Sequence, residues 1–371
     1  MKRAKRWIVD GLILVLSVGL TLYYVFRGQD LEQMLTLLRQ AEPLWCGLGL
    51  CCMILFMLGE AVVFRYLFRV LGQKTHWSHC CLYAFTGFFY AAITPGAGGG
   101  QPMQAYYMKQ DDIPVSMSIP VLTMVTILYK AVLIVISTAV LLLRPAAIMR
   151  ALAPCMPWCW LGLGLNVAFV GALLLFIFWP QLARRIGCTC VRFAEKKLRI
   201  RRAAALYPAV EQGCRKYAGV VERFRKEGSA IAVAFLMTFV QRALLFAVTW
   251  MSCRAFGLRS CGLLQVMILQ AIIHSAADMM PLPGGTGISE HLFLEIFAPL
   301  LGETLDLPVM VLSRGLSFYS RVLVSGAFAV AAMVVFRRQR ALLQKQPMGK
   351  RLTNPERPDI IKCNKGEDGQ E

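Results

Sequence analysis

Charged residues are scarce in this chain. They make up 16% of its 371 residues, while hydrophobic residues reach 57%; a soluble domain has about a quarter charged and about half apolar. Acid is the scarcer sign, with 21 Asp and Glu against 40 Lys and Arg, and there are only four histidines. With a mean hydropathy of +0.57, this argues against a water-soluble enzyme. Nucleotide-binding and hydrolase signatures are missing too: no G-x-x-x-x-G-K-[ST], no G-x-G-x-x-G after a strand, and no nucleophile elbow. The thirteen cysteines have neither zinc-site nor disulfide-framework spacing. Most, such as Cys51, Cys80 and Cys159, lie in or beside apolar runs, where a thiol packs as a small hydrophobe. No catalytic residue, metal or cofactor is therefore expected.

What is present is apolar run after apolar run: 7–26, 44–71, 79–95, 119–143, 158–179, 230–256, 262–282, 288–301 and 308–336. A helix needs about 20 apolar residues to cross a bilayer, and only a helix satisfies its own backbone there. The first run follows a basic start but is too long for a signal-peptide core and lacks a cleavage site, so it reads as an uncleaved span. The net charge of +19 superficially suggests nucleic acid, but its location argues otherwise. Residues 1–6 carry +4. Residues 181–229, with 13 basic and 4 acidic side chains, carry +9, and residues 337–371 carry +4. Basic segments between apolar runs mark the cytoplasmic side. The N-terminus, 181–229 and the tail are thus expected in the cytoplasm, with 1–336 as the membrane domain and 337–371 as a disordered tail. Leu182, Ile186 and Phe193 recur at helical spacing in the basic segment, which suits either a helix on an anionic leaflet or a solvated connector.

Parity makes the topology more specific. Five runs separate residues 1–6 from 181–229, yet both ends should be cytoplasmic, so one run should not cross. The short run 79–95 is the candidate, because it ends in Thr94-Pro95-Gly96-Ala97-Gly98-Gly99-Gly100-Gln101-Pro102. A second cluster, Pro281-Leu282-Pro283-Gly284-Gly285-Thr286-Gly287, precedes the 14-residue run 288–301, and both clusters contain P-G-x-x-G. Broken helices in corresponding positions of two halves point to a transport site near the bilayer midplane. The fold expected is all-α: a polytopic transmembrane bundle with two re-entrant broken-helix hairpins forming an inverted repeat.

Ionisable groups inside a bilayer are costly and need a reason. The runs contain Glu60, Arg65, Arg69, Lys130, Arg242, Asp278, Glu290, Glu295, Arg314 and Arg321. Arg65 and Arg69 can snorkel, and Glu295 can face water. Arg314 and Arg321 lie two turns apart on one helical face, with Ser317 between them. They can hold phosphate oxygens or pair with Asp278 or Glu290. A helix starting after Gly287 aims free N–H groups at a ligand; Glu290 in its first turn either caps that helix or meets a cation. Thr286 stands four residues before Glu290, one too many for a capping box. At the first break, Gly98 and Gly99 let the backbone approach a ligand, while Gln101, Gln104, Tyr107 and Lys109 supply polar groups. Gly284, Gly285 and Gly287 do the same at the second. These residues, with Arg242 and Asp278, form the candidate substrate-binding set.

The stretches Thr94–Lys109 and Pro281–Glu290 resemble the two signature loops of the lysylphosphatidylglycerol synthase/flippase membrane-domain family. The similarity covers residues 7–336. In full-length members a flippase domain precedes a cytoplasmic transferase, which moves lysine from charged transfer RNA to phosphatidylglycerol. The flippase then carries the product outward, conferring resistance to cationic antimicrobial peptides. Many members have Gly-Glu-x-x-Arg where this chain reads Gly100-Gln101-Pro102-Met103-Gln104, so both charges of that motif are absent, as is the transferase domain. The resemblance implies a cell-membrane flippase for an anionic or aminoacylated phospholipid such as lysyl-phosphatidylglycerol. The alternatives are a phosphatidylglycerol lysyltransferase or a scaffold for a separate synthase, and homo-oligomerisation is left open.

Overall fold

The computed structural model describes residues 36, 38–94, 98–178, 189, 207–280, 287–302 and 304–331. The run 7–26, most of the basic segment before 207, the centres of both glycine-proline clusters and the tail 337–371 lie outside the described residues.

Apolar runs of sufficient length become span-length helices. Five are long and apolar enough to cross a bilayer: Pro43–Val70, Val115–Leu143, Ala146–Ile177, Gly228–Ala255 and Asp306–Ala331. In chain order the helices are α1 (Pro43–Val70), α2 (Trp77–Ile93), α3 (Gly100–Gln110), α4 (Val115–Leu143), α5 (Ala146–Leu152), α6 (Met156–Phe178), α7 (Tyr207–Lys226), α8 (Gly228–Ala255), α9 (Leu263–Ala277), α10 (Ile288–Leu301) and α11 (Asp306–Ala331). No strand occurs among the described residues. Leu44, Leu55, Val135, Trp160, Leu161, Val240 and Leu323 point outward and exposed. An apolar exterior around span-length helices is the signature of a bundle whose solvent is lipid. The protein is a polytopic, multi-pass membrane helix bundle.

Glycine sets how closely the helices approach. α1 packs along α8, where a Cβ on Gly59 would lie 2.8 Å from Gln241 Cγ. Gln241 uses this proximity to donate from Nε2 to the Phe56 carbonyl at 3.1 Å. Small residues at such contacts allow close backbone packing, the principal source of helix association in lipid.

α2 and α3 have 17 and 11 residues, about 26 and 16 Å at 1.5 Å per residue, short of the roughly 30 Å hydrocarbon core. They pack on each other as a hairpin. A Cβ on Gly100 would lie 2.9 Å from the Gly87 carbonyl oxygen. The hairpin is clasped at both ends. At the turn, the Gly99 N–H donates to Thr94 Oγ1 at 2.8 Å, and that hydroxyl donates to the Tyr90 carbonyl at 2.7 Å. At the open end, Asp111 Oδ2 accepts from Tyr83 at 2.5 Å and meets His79 Nδ1 at 2.6 Å.

The second glycine-proline cluster also has short helices on both sides, α9 with 15 residues and α10 with 14. α9 stops at Ala277, before the predicted run ends, because Asp278 takes the capping position. α7 is the described part of the basic segment. It buries Tyr217, Val221 and Phe224, and the first two join a cluster with Ile127 of α4 and Val170 and Ile177 of α6. Its Arg223 donates to the Leu71 carbonyl at 3.3 Å, capping the end of α1 with a cation where the helix dipole is negative. The described residues up to Phe328 form one compact unit.

Candidate functional site

Three span-length helices each carry a cation near mid-length: Lys130 in α4, Arg242 in α8 and Arg321 in α11. At 1.5 Å per residue each lies roughly 15–23 Å from its helix ends. All three line one cavity of about 390 Å³, which residues flanking both glycine-proline clusters also line. Gly98, Gly100, Gln101 and Gln104 come from the first break. Asp278, Met279, Met280 and Ser289 flank the second. Glu60, Thr126, Tyr129, Phe169, His274 and Arg314 complete the polar and aromatic wall.

Helical periodicity explains the α4 contribution. Thr126, Tyr129 and Lys130 stand at i, i+3 and i+4 and share a face. Lys130 Nζ forms an ion pair with Asp278 Oδ2, and the Tyr129 hydroxyl donates to the same oxygen. Asp278 ends α9, where the helix dipole disfavours an anion; the Lys130 cation supplies the compensation. On the far side of the break, Glu290 Oε1 pairs with Arg314 Nη2 at 2.7 Å. Its other oxygen accepts from the Gly287 N–H at 2.7 Å and from Ser289 Oγ at 2.8 Å, and Arg314 also donates to Ser289 Oγ. Glu290 is thus both the cap of α10 and an ion-pair partner. The cap runs to Gly287, which has φ +88°, a conformation glycine adopts without a Cβ penalty.

Glu60 is buried and accepts from Gln104 Nε2 at 3.3 Å, with Arg242 and Arg321 as the cations acting on it. Neither arginine has a salt bridge or hydrogen bond among the described residues, and the Nε of each is buried without a partner. Both lie against aromatic rings instead. Arg242 sits 4.1 Å from the Tyr129 ring centre and 5.2 Å from Phe56. Arg321 sits 5.6 Å from Phe318 and 5.9 Å from Phe88. Ring faces hold a cation in place while leaving its N–H edge available.

The sequence profile described as "Lysylphosphatidylglycerol synthase TM region" matches residues 8–339. The chain belongs to the lysylphosphatidylglycerol synthase transmembrane family. No curated protein matches it at a significant level.

In this family member the signature loops meet the cavity unequally. Gly98 lines it, whereas Gly99 lies in the turn, where a Cβ would come within 2.5 Å of Thr94. Gln101 lines it and donates to Thr126 Oγ1 at 2.5 Å; Gln104 lines it through the Glu60 contact. Tyr107 does not line it: its buried ring packs edge-on to Tyr106 at 5.5 Å. Lys109 lies in the exposed last turn of α3, also away from the cavity. Both stand further along α3 than Gln101 and Gln104, toward the open end of the hairpin. Gly284 and Gly285 lie outside the described residues. Gly287 and Glu290 act just behind the wall through Ser289 and Arg314. Arg314 and Arg321 both line the cavity, but a π-helical turn, Gly315–Tyr319, separates them. A π turn changes the register of the residues beyond it and is frequent at functional sites. Ser317 turns back to the Ser313 carbonyl at 2.6 Å. The motif-based candidate set lacks Glu60, Tyr129, Lys130 and His274. Glu60 and Lys130 stand out in the sequence as charges inside apolar runs, but no motif surrounds them.

Proposed function

We propose that this protein translocates a phospholipid of the phosphatidylglycerol class across the cell membrane; the family resemblance offers lysyl-phosphatidylglycerol as one such cargo, and resistance to cationic antimicrobial peptides would follow from that cargo. The observation that carries this reading is the polar cavity at mid-length of the span-length helices, lined by residues flanking both glycine-proline clusters. A polar pocket at that depth suits a headgroup, while acyl chains remain in the lipid outside. In the matching topology, α2–α3 and α9–α10 are re-entrant hairpins entering from opposite sides. The N-terminus, residues 181–229 and the tail are then cytoplasmic. Broken helices around such a site are the arrangement that allows alternating access. Lysyl transfer and a scaffold role have no observation of their own in their favour.

The test is reconstitution of the full chain in vesicles with fluorescent phosphatidylglycerol and lysyl-phosphatidylglycerol, scoring the outer leaflet by dithionite quenching. Faster leaflet exchange than in protein-free vesicles, lost in Asp278→Asn, supports translocation. Exchange no faster than in protein-free vesicles overturns it. For topology, single cysteines introduced across 103–112 should label from the cytoplasmic side; labelling from outside alone refutes the first hairpin.

A further inference from the structure

We infer that the headgroup received by this cavity is a phosphate without an ammonium, so that the cargo is an anionic phospholipid rather than an aminoacylated one. The inference rests on the translocation reading and specifies its substrate class.

Most of the charges around the cavity are already committed. Asp278 is taken by Lys130 and Tyr129. Glu290 is taken by Arg314, Ser289 and the Gly287 N–H. Glu60 is buried, accepts from Gln104, and faces Arg242 and Arg321. Asp278 and Glu290 are thus closed by ion pairs, while Glu60 is a single carboxylate facing two guanidiniums, so the local excess is positive. The uncommitted valence is cationic. Arg242 and Arg321 both enter the cavity without a hydrogen bond or salt bridge, and each has a buried Nε with no acceptor. Leaving a buried donor unpaired is costly, and a charged acceptor recovers that cost. Guanidinium forks match phosphate oxygens in geometry and charge.

Charge balance favours the same ligand. Four cations, Lys130, Arg242, Arg314 and Arg321, stand with three acids, Glu60, Asp278 and Glu290, leaving one net positive charge. A phosphodiester monoanion neutralises it. Lysyl-phosphatidylglycerol, with one phosphate and two ammonium groups, would raise it to two in a low-dielectric site, where unbalanced charge is expensive.

Binding decides this separately from transport. The purified full chain in detergent is titrated with phosphatidylglycerol, lysyl-phosphatidylglycerol and inorganic phosphate, with bound species read by native mass spectrometry. Phosphatidylglycerol should bind about tenfold or more tightly than lysyl-phosphatidylglycerol. Arg242→Gln and Arg321→Gln should each weaken phosphatidylglycerol by about tenfold, the scale of a charged hydrogen bond. Gln104→Glu is the second route, because it adds an anion beside Glu60 and keeps both guanidiniums; it should weaken the same lipid severalfold even if an arginine variant fails to fold. Lysyl-phosphatidylglycerol binding as tightly as phosphatidylglycerol, or unchanged phosphatidylglycerol binding in the folded variants, overturns the inference. Inorganic phosphate binding where neither lipid binds also overturns it and makes the ligand a soluble anion. Preferential phosphatidylglycerol binding without leaflet exchange removes the translocation reading and leaves the anionic site standing. Exchange with tighter lysyl-phosphatidylglycerol binding does the reverse.

Discussion

The two glycine-proline breaks share a sequence pattern and differ in chemistry. Between α2 and α3, the chain presents neutral amides and bare backbone: Gln101 to Thr126, Gln104 to Glu60, and Gly87 against Gly100. Between α9 and α10, the break is bracketed by two ion pairs, Lys130–Asp278 before it and Arg314–Glu290 after it. The first break is thus held by shape and the second by charge. Lys130 and Arg314 line the same cavity as Arg242 and Arg321, so a phosphate held by the two unpaired guanidiniums would also pull on these paired cations. The same phosphate has no ion pair to disturb at the first break. On the translocation reading, we assign the sensing of a headgroup to the second break and a fixed wall to the first.

The largest expected effect comes from breaking the charge-held half. Lys130→Met leaves Asp278 without its cation at a helix end. Removing one partner of a buried pair costs about 3–5 kcal/mol, and the partial exposure of Asp278, 26% for its side chain, places this pair at about 3. The unfolding midpoint in detergent should fall markedly, and Lys130→Met with Asp278→Leu should recover much of it. No recovery in the double variant would mean that Lys130 is needed for packing rather than for pairing. Glu290→Gln comes next. It loses the Arg314 ion pair but retains an oxygen that can cap Gly287, so about 2 kcal/mol is expected from the lost charged interaction. Leaflet exchange should slow with it. A stability loss equal to that of Lys130→Met would erase the distinction between a pair at a helix end and a pair that also caps.

These differences show what could be read in the sequence. Span-length helices were legible because bilayer thickness fixes the length of an apolar run, and 288–301 appears as the helix with those bounds. Glu60 and Lys130 were legible as charges out of place, but their partners were not. Lys130 meets Asp278 across 148 residues, and no local pattern encodes a contact between α4 and the end of α9. Arg314 and Arg321 were legible as cavity residues. Their separation into one paired and one unpaired cation was not, because the π turn between them leaves no spacing signature. At Glu290 the sequence offered a helix cap or a cation partner as alternatives and ruled out a Thr286 capping box; the carboxylate does both, taking the Gly287 N–H with one oxygen and Arg314 with the other. Tyr107 and Lys109 fall outside the cavity because a polar residue near a motif is a candidate by composition, while position along α3, near the turn or near the open end, decides access.

The shape-held half should be less costly to disturb by charge than by volume. Gly100→Ala places a methyl 2.9 Å from the Gly87 carbonyl oxygen and 3.1 Å from the Ala91 methyl. A backbone oxygen cannot rotate away as a side chain can, so α3 must move from α2. Overpacking of this kind costs about 1–3 kcal/mol, and about 1.5 is expected here, measured as a lower unfolding midpoint. Increased access to a thiol probe at Cys80 or Cys81, both buried in α2, should accompany it. A wild-type midpoint would show that the hairpin tolerates separation and is not a fixed wall.

The smallest effect is the most discriminating. Gln101 is exposed toward the cavity and makes one neutral bond, to Thr126. Gln101→Ala removes a bond worth about 0.5–1.5 kcal/mol, at the low end here because water can replace it. Stability and leaflet exchange should both stay near wild type. Gln101→Glu has nearly the same shape and changes only the charge of the first wall. If the wall contributes shape alone, the carboxylate leaves folding unchanged, while its negative charge opposes a phosphate held by Arg242 and Arg321. Phosphatidylglycerol exchange should then fall although stability does not. If both variants behave as wild type in exchange, the headgroup does not pass the first break, and the division between a charge-held sensor and a shape-held wall fails at the wall.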